Sequence, residues 1–475
     1  MCPNERSPAR IARTKGQQRA AGKRRLGYLD SATNEALGFY HDLLIDDRVA
    51  STVRILERGV ERDLVNYETP GYTQILRPYL IHEDHYAAML DAAEKIAAGL
   101  QIVATKLLKD DFLFALLELR REELIGATLD SRPLPGLVER LDGLVDDNGI
   151  LHFIELNDTP GGIASGDRLE EIFASMPVMK AFGEKYAVRS VRRSPLLRNA
   201  IFEAAKHERH STTPPSCLFF RPLIPESNHM AQSLRRLGIR VHIARDEQQP
   251  QYRPTGVFLN GKRIDFLATG HLELVPVARS NPDHPLIRAI RDHRVRLLGG
   301  AASSIVRTSR IAFAHLSDEK NRSWFSKDIA NAIARHIPWT RQVRDAQTSY
   351  HGRPIDLLEF ILTNRTNLVM KACGTSGGKG VLLGWNTNEK AWRNALGRAL
   401  TGDHVVQERV HGPKQTFAMV DARRRVTMRS LYVDMNPYVW HGRPAGLMVR
   451  ASPSEVTNVS FVGSDLPVFV FSERE

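Results

Sequence analysis

The sequence predicts a mixed α/β (α+β) chain, and three stretches carry that reading. Residues 216–245 run strand, helix, strand: Cys217-Leu218-Phe219-Phe220, then a helical pattern over 230–237, then Ile239 to Ile243 after Gly238. That order is a Rossmann-like βαβ unit. Residues 368–383 run from an apolar strand through a glycine-rich loop to a second apolar strand. Residues 137–156 alternate like paired strands around the turn signal Asp147-Asn148-Gly149. At 475 residues the chain has room for roughly two to four lobes.

The elements follow in order. Residues 1–25 hold Arg6, Arg10, Arg13, Lys15, Arg19, Lys23, Arg24 and Arg25 against Glu5 and lack apolar periodicity. Residues 1–26 are therefore expected to be a disordered basic tail. A helix is expected over 32–45. From 82 to about 124, Ala88, Leu90, Ala93, Ile96, Leu100, Val103, Phe112, Leu116 and Leu117 recur at helical spacing, predicting two or three helices in one layer. Another helix begins at 167–174. The Asn260-Gly261 turn joins a hairpin over 257–264. From 356 the pattern is helix, strand, glycine loop, strand, helix, strand, and the last stretch of the chain is mostly strands. The expected division is 1–26 tail, 27–185 helical layer plus acidic hairpin, 186–315 Rossmann-like substrate domain, and 316–475 glycine-loop lobe with C-terminal core strands.

Composition narrows the classes. The net charge is +12 and 42% of residues are hydrophobic, enough for a core, while no apolar run approaches the ~20 residues of a membrane span. No membrane association is expected. Cys2, Cys217 and Cys373 have no metal-type spacing, and no secretory signal is evident, which points to a reducing, cytoplasmic setting. Cys373 reads as a small space-filler, its alternative being a nucleophile. The basic tail is a solvated segment or a nucleic-acid arm. No aromatic-rich RNA motif accompanies it, so nucleic acid is not the expected partner. The positive excess suits anionic substrates.

The stretch from Leu368 to Leu383 carries the chemistry. Lys371 ends the first strand, and Gly374-Thr375-Ser376-Gly377-Gly378-Lys379-Gly380 precedes the second. Glycines let backbone N–H groups approach phosphate oxygens, and lysines supply compact positive charge. The Walker pattern fails because Gly380 follows Lys379. The dinucleotide fingerprint fails because a strand, not a helix, follows. A kinase-type flap lacks its companion motifs. A glycine turn without ligand is the plain alternative.

A second constellation lies in Arg140-Leu141-Asp142 and Glu155-Leu156-Asn157. Residues two apart on a strand share a face, so Arg140 and Asp142 point one way, as do Glu155 and Asn157. On strands joined by a tight turn, Asp142 comes opposite Glu155 and Asn157. Two carboxylates, an amide and an arginine then converge, a donor set Mg²⁺ accepts alongside phosphate oxygens. The alternative is the exposed face of an ordinary amphipathic hairpin.

Arg-x-Asp followed by Glu-x-Asn resembles the ATP-grasp metal site, and Lys371 with Gly377-Gly378-Lys379-Gly380 resembles its phosphate-covering loop. The order, acids first and loop last, is similar to the circularly permuted branch that includes glutathionylspermidine synthase and related carboxylate–amine ligases. The runs Gly446 to Ser452 and Val456 to Val459 resemble that set too. Ala268-Thr269-Gly270-His271 and Gly463-Ser464-Asp465 depart from it. The resemblance implies a permuted ATP-grasp fold with a Rossmann-like region and an antiparallel nucleotide-covering lobe. It implies ATP and Mg²⁺ as cofactors, with Asp142, Glu155 and Asn157 on the metal. Arg140 would stabilise the transferring phosphoryl group. Lys371, Gly377, Gly378, Lys379, Gly380, Gln407 and Glu408 would hold the nucleotide. Lys320 is either a further nucleotide lysine or part of a solvated charge cluster. Arg450 is either a carboxylate or phosphate clamp or a structural ion pair. The implied activity joins a carboxylate to an amine through an acyl phosphate, releasing ADP and phosphate. Alternatives are an ATP-grasp phosphotransferase and a non-catalytic nucleotide-binding protein.

Overall fold

The computed structural model describes residues 30–44, 46–64, 74–110, 134–158, 161–208, 213–220, 225–244, 250–269, 271–299, 302–373, 380–401, 404–421, 423, 425–457 and 464–474. The basic tail and the loop residues Gly377, Gly378 and Lys379 lie outside them. Among the described residues, no helix is long and apolar enough to cross a membrane.

The acidic hairpin and the C-terminal strands form one antiparallel sheet. Its order is Ser464–Leu466, Arg443–Ser452, Val426–Trp440, Glu139–Val145, Leu151–Asn157, with Gln415–Val420 paired to the first half of Val426–Trp440. The hairpin turn is held by Asp146, whose side chain accepts from Asn148 N at 2.9 Å and Ile150 N at 2.8 Å. Gly149 follows at φ 73°, a left-handed conformation that costs glycine nothing.

One long helix, Glu83–Leu107, covers this sheet. Met89, Ala93, Ile96, Leu100, Val103 and Leu107 are buried along one stripe and share a core with Leu141, Phe153, Met435 and Leu447 of the sheet. The stripe passes through Met89 where Ala88 was expected, and Ala88 is exposed. The expected continuation through Phe112, Leu116 and Leu117 lies outside the described residues.

The βαβ unit is Ser216–Phe220, Pro225–Arg236 and Arg240–Ala244, within a parallel sheet ordered Arg296–Leu297, Phe266–Leu267, Ser216–Phe220, Arg240–Ala244. Cys217 and Phe219 enter one apolar cluster, Leu218 and Phe220 another. A strand buried on both faces reads as an unbroken apolar run, which is how it appears in the sequence. The strand Tyr186–Ser190 pairs with the C-terminal strand Val468–Glu473, which also pairs in parallel with Tyr79–His82.

The lysine stretch folds into a four-stranded antiparallel sheet ordered Thr340–Gln342, His404–Glu408, Leu368–Ala372, Val381–Leu383. Helices Leu357–Thr363 and Glu389–Ala399 pack on it, giving the lobe its own core around Trp339, Leu368, Met370, Trp392 and Val406. Alternation decides what faces outward: Leu368 and Met370 enter that core, while Val369 and Lys371 line the adjoining cleft.

Candidate functional site

In the acidic hairpin, Arg140 lies opposite Asn157 and Asp142 opposite Glu155. The ladder then slips by one residue, so Gly143 faces Phe153. This bulge re-aims the strand just after Asp142. Gly143 is required by space: a Cβ there stands 2.9 Å from the Met435 carbonyl oxygen and 2.8 Å from Leu151 Cδ1. Gly143→Ala is expected to destabilise the fold by about 1–3 kcal/mol, read from the shift in urea midpoint.

Asp142 is buried between two guanidinium groups. Its Oδ1 accepts from Arg140 Nε at 2.7 Å; its Oδ2 accepts from Arg140 Nη2 at 3.1 Å and Arg450 Nη2 at 2.8 Å. Burial alone raises this carboxyl, but Arg140 and Arg450 outweigh it and hold it below its ordinary range. Arg450 is also held by Asp434, donating from Nε at 2.9 Å and Nη2 at 2.5 Å. Asn436 Nδ2 donates to Asp434 Oδ1 at 2.7 Å, and Thr457 Oγ1 donates to Oδ2. Arg450 is thus in an ion-pair network that itself lines the cleft.

Lys371 faces this network from the other lobe. Its Nζ donates to Gln407 Oε1 at 2.7 Å, and Gln407 Nε2 in turn donates to Thr340 Oγ1 at 3.0 Å. Nζ also stands 3.5 Å from the Ile154 carbonyl, one residue before Glu155. Burial pushes the Lys371 ammonium down to about 8, with Glu155 and Asp142 opposing that shift and Arg310 adding to it. Arg310 ties the two sides together. It donates to Glu155 Oε2 at 3.1 Å and to the carbonyl of Ala372, the residue after Lys371.

These residues enclose one cleft of about 520 Å³. Arg140, Asp142, Glu155 and Asn157 lie on one wall, which Arg450 joins through Asp142; Lys371, Gln407 and Glu408 lie on the other; Arg310 bridges the two. Glu408 accepts from Tyr350 OH at 2.5 Å and is 3.2 Å from His351 Nε2. Gly380 closes the far end of the loop at φ 71°, its carbonyl accepting from Ala372 N at 3.0 Å. Lys320 does not line the cleft. It is exposed on the short 3-10 helix Glu319–Trp324, where Asp318 caps the backbone by accepting from Lys320 N at 3.1 Å. The charge cluster around it does capping work.

Among the cleft residues that the sequence did not single out are Asp434, Arg310 and Glu455. Asp434 and Arg310 sit in strand and helix text with no motif. Glu455 accepts from Trp385 Nε1 of the lobe at 2.7 Å and Tyr432 OH of the central sheet at 3.2 Å, and so joins the two. The only available signal was alternation: Asp434 and Tyr432, two apart, share a face of their strand.

Among the described residues there is no group of three or more His, Cys, Asp or Glu placed to hold an ion. A hard cation here draws instead on two carboxylates and an amide. The donor set fits. Asp142 Oδ1 accepts a single hydrogen bond and keeps a lone pair. Asn157 Nδ2 is buried without a partner among the described residues, and a half-turn of the amide exchanges it for the oxygen.

No family model matches the chain, and no curated protein matches it in sequence. Solved structures do match. A glutathione synthetase-like effector from Globodera pallida, in its apo form, aligns at a TM-score of 0.55 and 11% identity over 90% of this chain and 99% of that one. A protein assigned as a gamma-glutamylcysteine synthetase from Methylobacillus flagellatus KT aligns over 78% of this chain and 87% of its own at 14% identity, but its TM-score of 0.38 carries no argument. The chain therefore has a mixed α/β fold similar to that of the glutathione synthetase-like effector.

Proposed function

We propose that the chain is an ATP-dependent ligase of circularly permuted ATP-grasp type, joining a carboxylate to an amine. One observation carries the reading: the acidic hairpin, early in the chain, and the lysine strand, late in it, line the same cleft from opposite sides. The likeness in fold to a protein named as glutathione synthetase-like supports it.

In this reading Lys371, Gln407 and Glu408 bind the nucleotide, and the loop with Gly377, Gly378, Lys379 and Gly380 covers its phosphates. Asp142, Glu155 and Asn157 hold Mg²⁺, which when bound neutralises charge on the transferring phosphoryl group. A substrate carboxylate oxygen bonds to the γ-phosphorus as the bond to the β-phosphate bridging oxygen breaks, and ADP leaves. Arg140 and Arg450 steady the charge that spreads over the phosphoryl oxygens. The amine lone pair then attacks the acyl carbon, the bond to the phosphate oxygen breaks, and the nitrogen gives up a proton. The Rossmann-like domain, within 186–315, contributes to the acid and amine sites, and the lobes divide as 27–185 and 316–475 around it. The setting is cytoplasmic and the substrates are small molecules or peptides.

The test is an assay of ADP and phosphate over a matrix of acids and amines. The expected result is Mg²⁺-dependent ADP release that needs both an acid and an amine, with an amide as product. A product that retains the phosphoryl group would instead make the chain a phosphotransferase. Nucleotide binding with no ADP across the matrix would make it non-catalytic.

A further inference from the structure

A second cavity, also of about 520 Å³, lies among the helices Asp46–Asp63, Ala164–Ala174, Arg193–His207 and Pro225–Arg236. None of its lining residues lines the catalytic cleft. Its charges are unbalanced. Asp63 is held by Arg62 and Arg168, and Glu171 by Arg168 and Arg192, so three guanidinium groups share two carboxylates. Asp167 is committed elsewhere: it accepts from the backbone N–H groups of Arg193 at 2.6 Å and Ser194 at 2.8 Å, and pairs with the Arg193 guanidinium. Arg236 is exposed and has no ion-pair partner among the described residues.

The second observation is Ser194. Its residue is 3% exposed, it lines this cavity, and its Oγ has no hydrogen-bond partner among the described residues. A buried hydroxyl left unpaired weakens the fold, so its presence at the wall of a polar cavity needs a reason. A ligand oxygen supplies one. The surplus guanidinium charge selects an anion, and the volume exceeds what a bare ion needs and suits a small organic molecule.

We propose that this cavity binds a small organic oxyanion, its carboxylate or phosphate group meeting Arg236 and the Ser194 hydroxyl. The proposal does not depend on the ligase reading. Glutamate and inorganic phosphate, titrated calorimetrically in parallel into the full chain, probe the two head groups. At least one is expected to bind with unit stoichiometry. That binding should persist in Lys371→Met, which alters only the catalytic cleft, and weaken about tenfold in Ser194→Ala and in Arg236→Ala, the loss for one hydrogen bond to a charged group. Which probe binds identifies the head group. Ser194→Ala should also raise the urea midpoint of the anion-free protein, and that gain should vanish when the anion is present. No binding of either probe, binding lost only in Lys371→Met, or binding unchanged in both cavity variants overturns the proposal.

Discussion

Glu155→Gln is expected to lower ATP turnover by about three orders of magnitude while the protein stays folded. The substitution keeps the side chain's shape and removes the charge that, in the proposed reading, holds the cation. Its structural cost is limited. The Glu155 side chain is 29% exposed and, among the described residues, has one ion-pair partner, Arg310, which also bonds the Ala372 carbonyl. Circular dichroism and urea melting should therefore show a near-native protein, with turnover lost at saturating nucleotide. Full activity in this variant would remove Glu155 from the metal site. Asp142 is a poorer place to ask the question. Its carboxylate sits between two buried guanidinium groups; in Asp142→Ala, Arg450 would keep Asp434 but Arg140 would be left buried without a carboxylate, a loss on the order of 3–5 kcal/mol. A dead Asp142 variant could simply be an unfolded one.

Lys371→Met should abolish measurable nucleotide binding, and the wild-type lysine should take up a proton as nucleotide binds. The ammonium is buried, bonded to Gln407, and pushed down to about 8. At pH 8 roughly half the free protein carries the charge, whereas a bound triphosphate favours the charged form. Binding at pH 8 should thus absorb about half a proton, and binding at pH 6 almost none. Calorimetry in two buffers of different ionisation enthalpy reads this directly. Affinity should fall as pH rises through about 8, since the free site is losing its charge. Stability moves the other way. The folded value lies below the ordinary 10.5, so the unfolded chain holds more protons between about 8 and 10.5, and the penalty for the buried charge is relieved as pH rises across that window. Affinity and proton uptake independent of pH would show that Lys371 does not meet phosphate.

Much of the site was legible because two of its stretches obey short-range rules. The pairing of Asp142 with Glu155 follows from one tight turn and a period of two, both local properties. The facing of Lys371 follows from the same period. The βαβ unit was legible from its unbroken apolar run. Residues brought in by long-range packing were not. Arg310 reaches Glu155 across 155 positions, and no local pattern records such a meeting; Arg450, which reaches Asp142 across 308, was named only through the family resemblance. Lys320 misled for the reverse reason. Ser317-Asp318-Glu319-Lys320 has the polarity of a ligand cluster, but the same residue types cap a short helix, and capping is their commoner use. The expected helical continuation through Phe112, Leu116 and Leu117, and the loop glycines Gly377 and Gly378, fall outside the described residues.

The strand Leu368–Ala372 has one side in the lobe's own core and one toward the cleft, and this makes the facing of Lys371 a matter of parity. A single residue inserted between Leu368 and Met370 would turn Lys371 into the lobe's own interior and Met370 toward the cleft. Two inserted residues would restore the facing. Drift in the length of this strand is therefore confined to even steps, a constraint on descent that no single side chain displays.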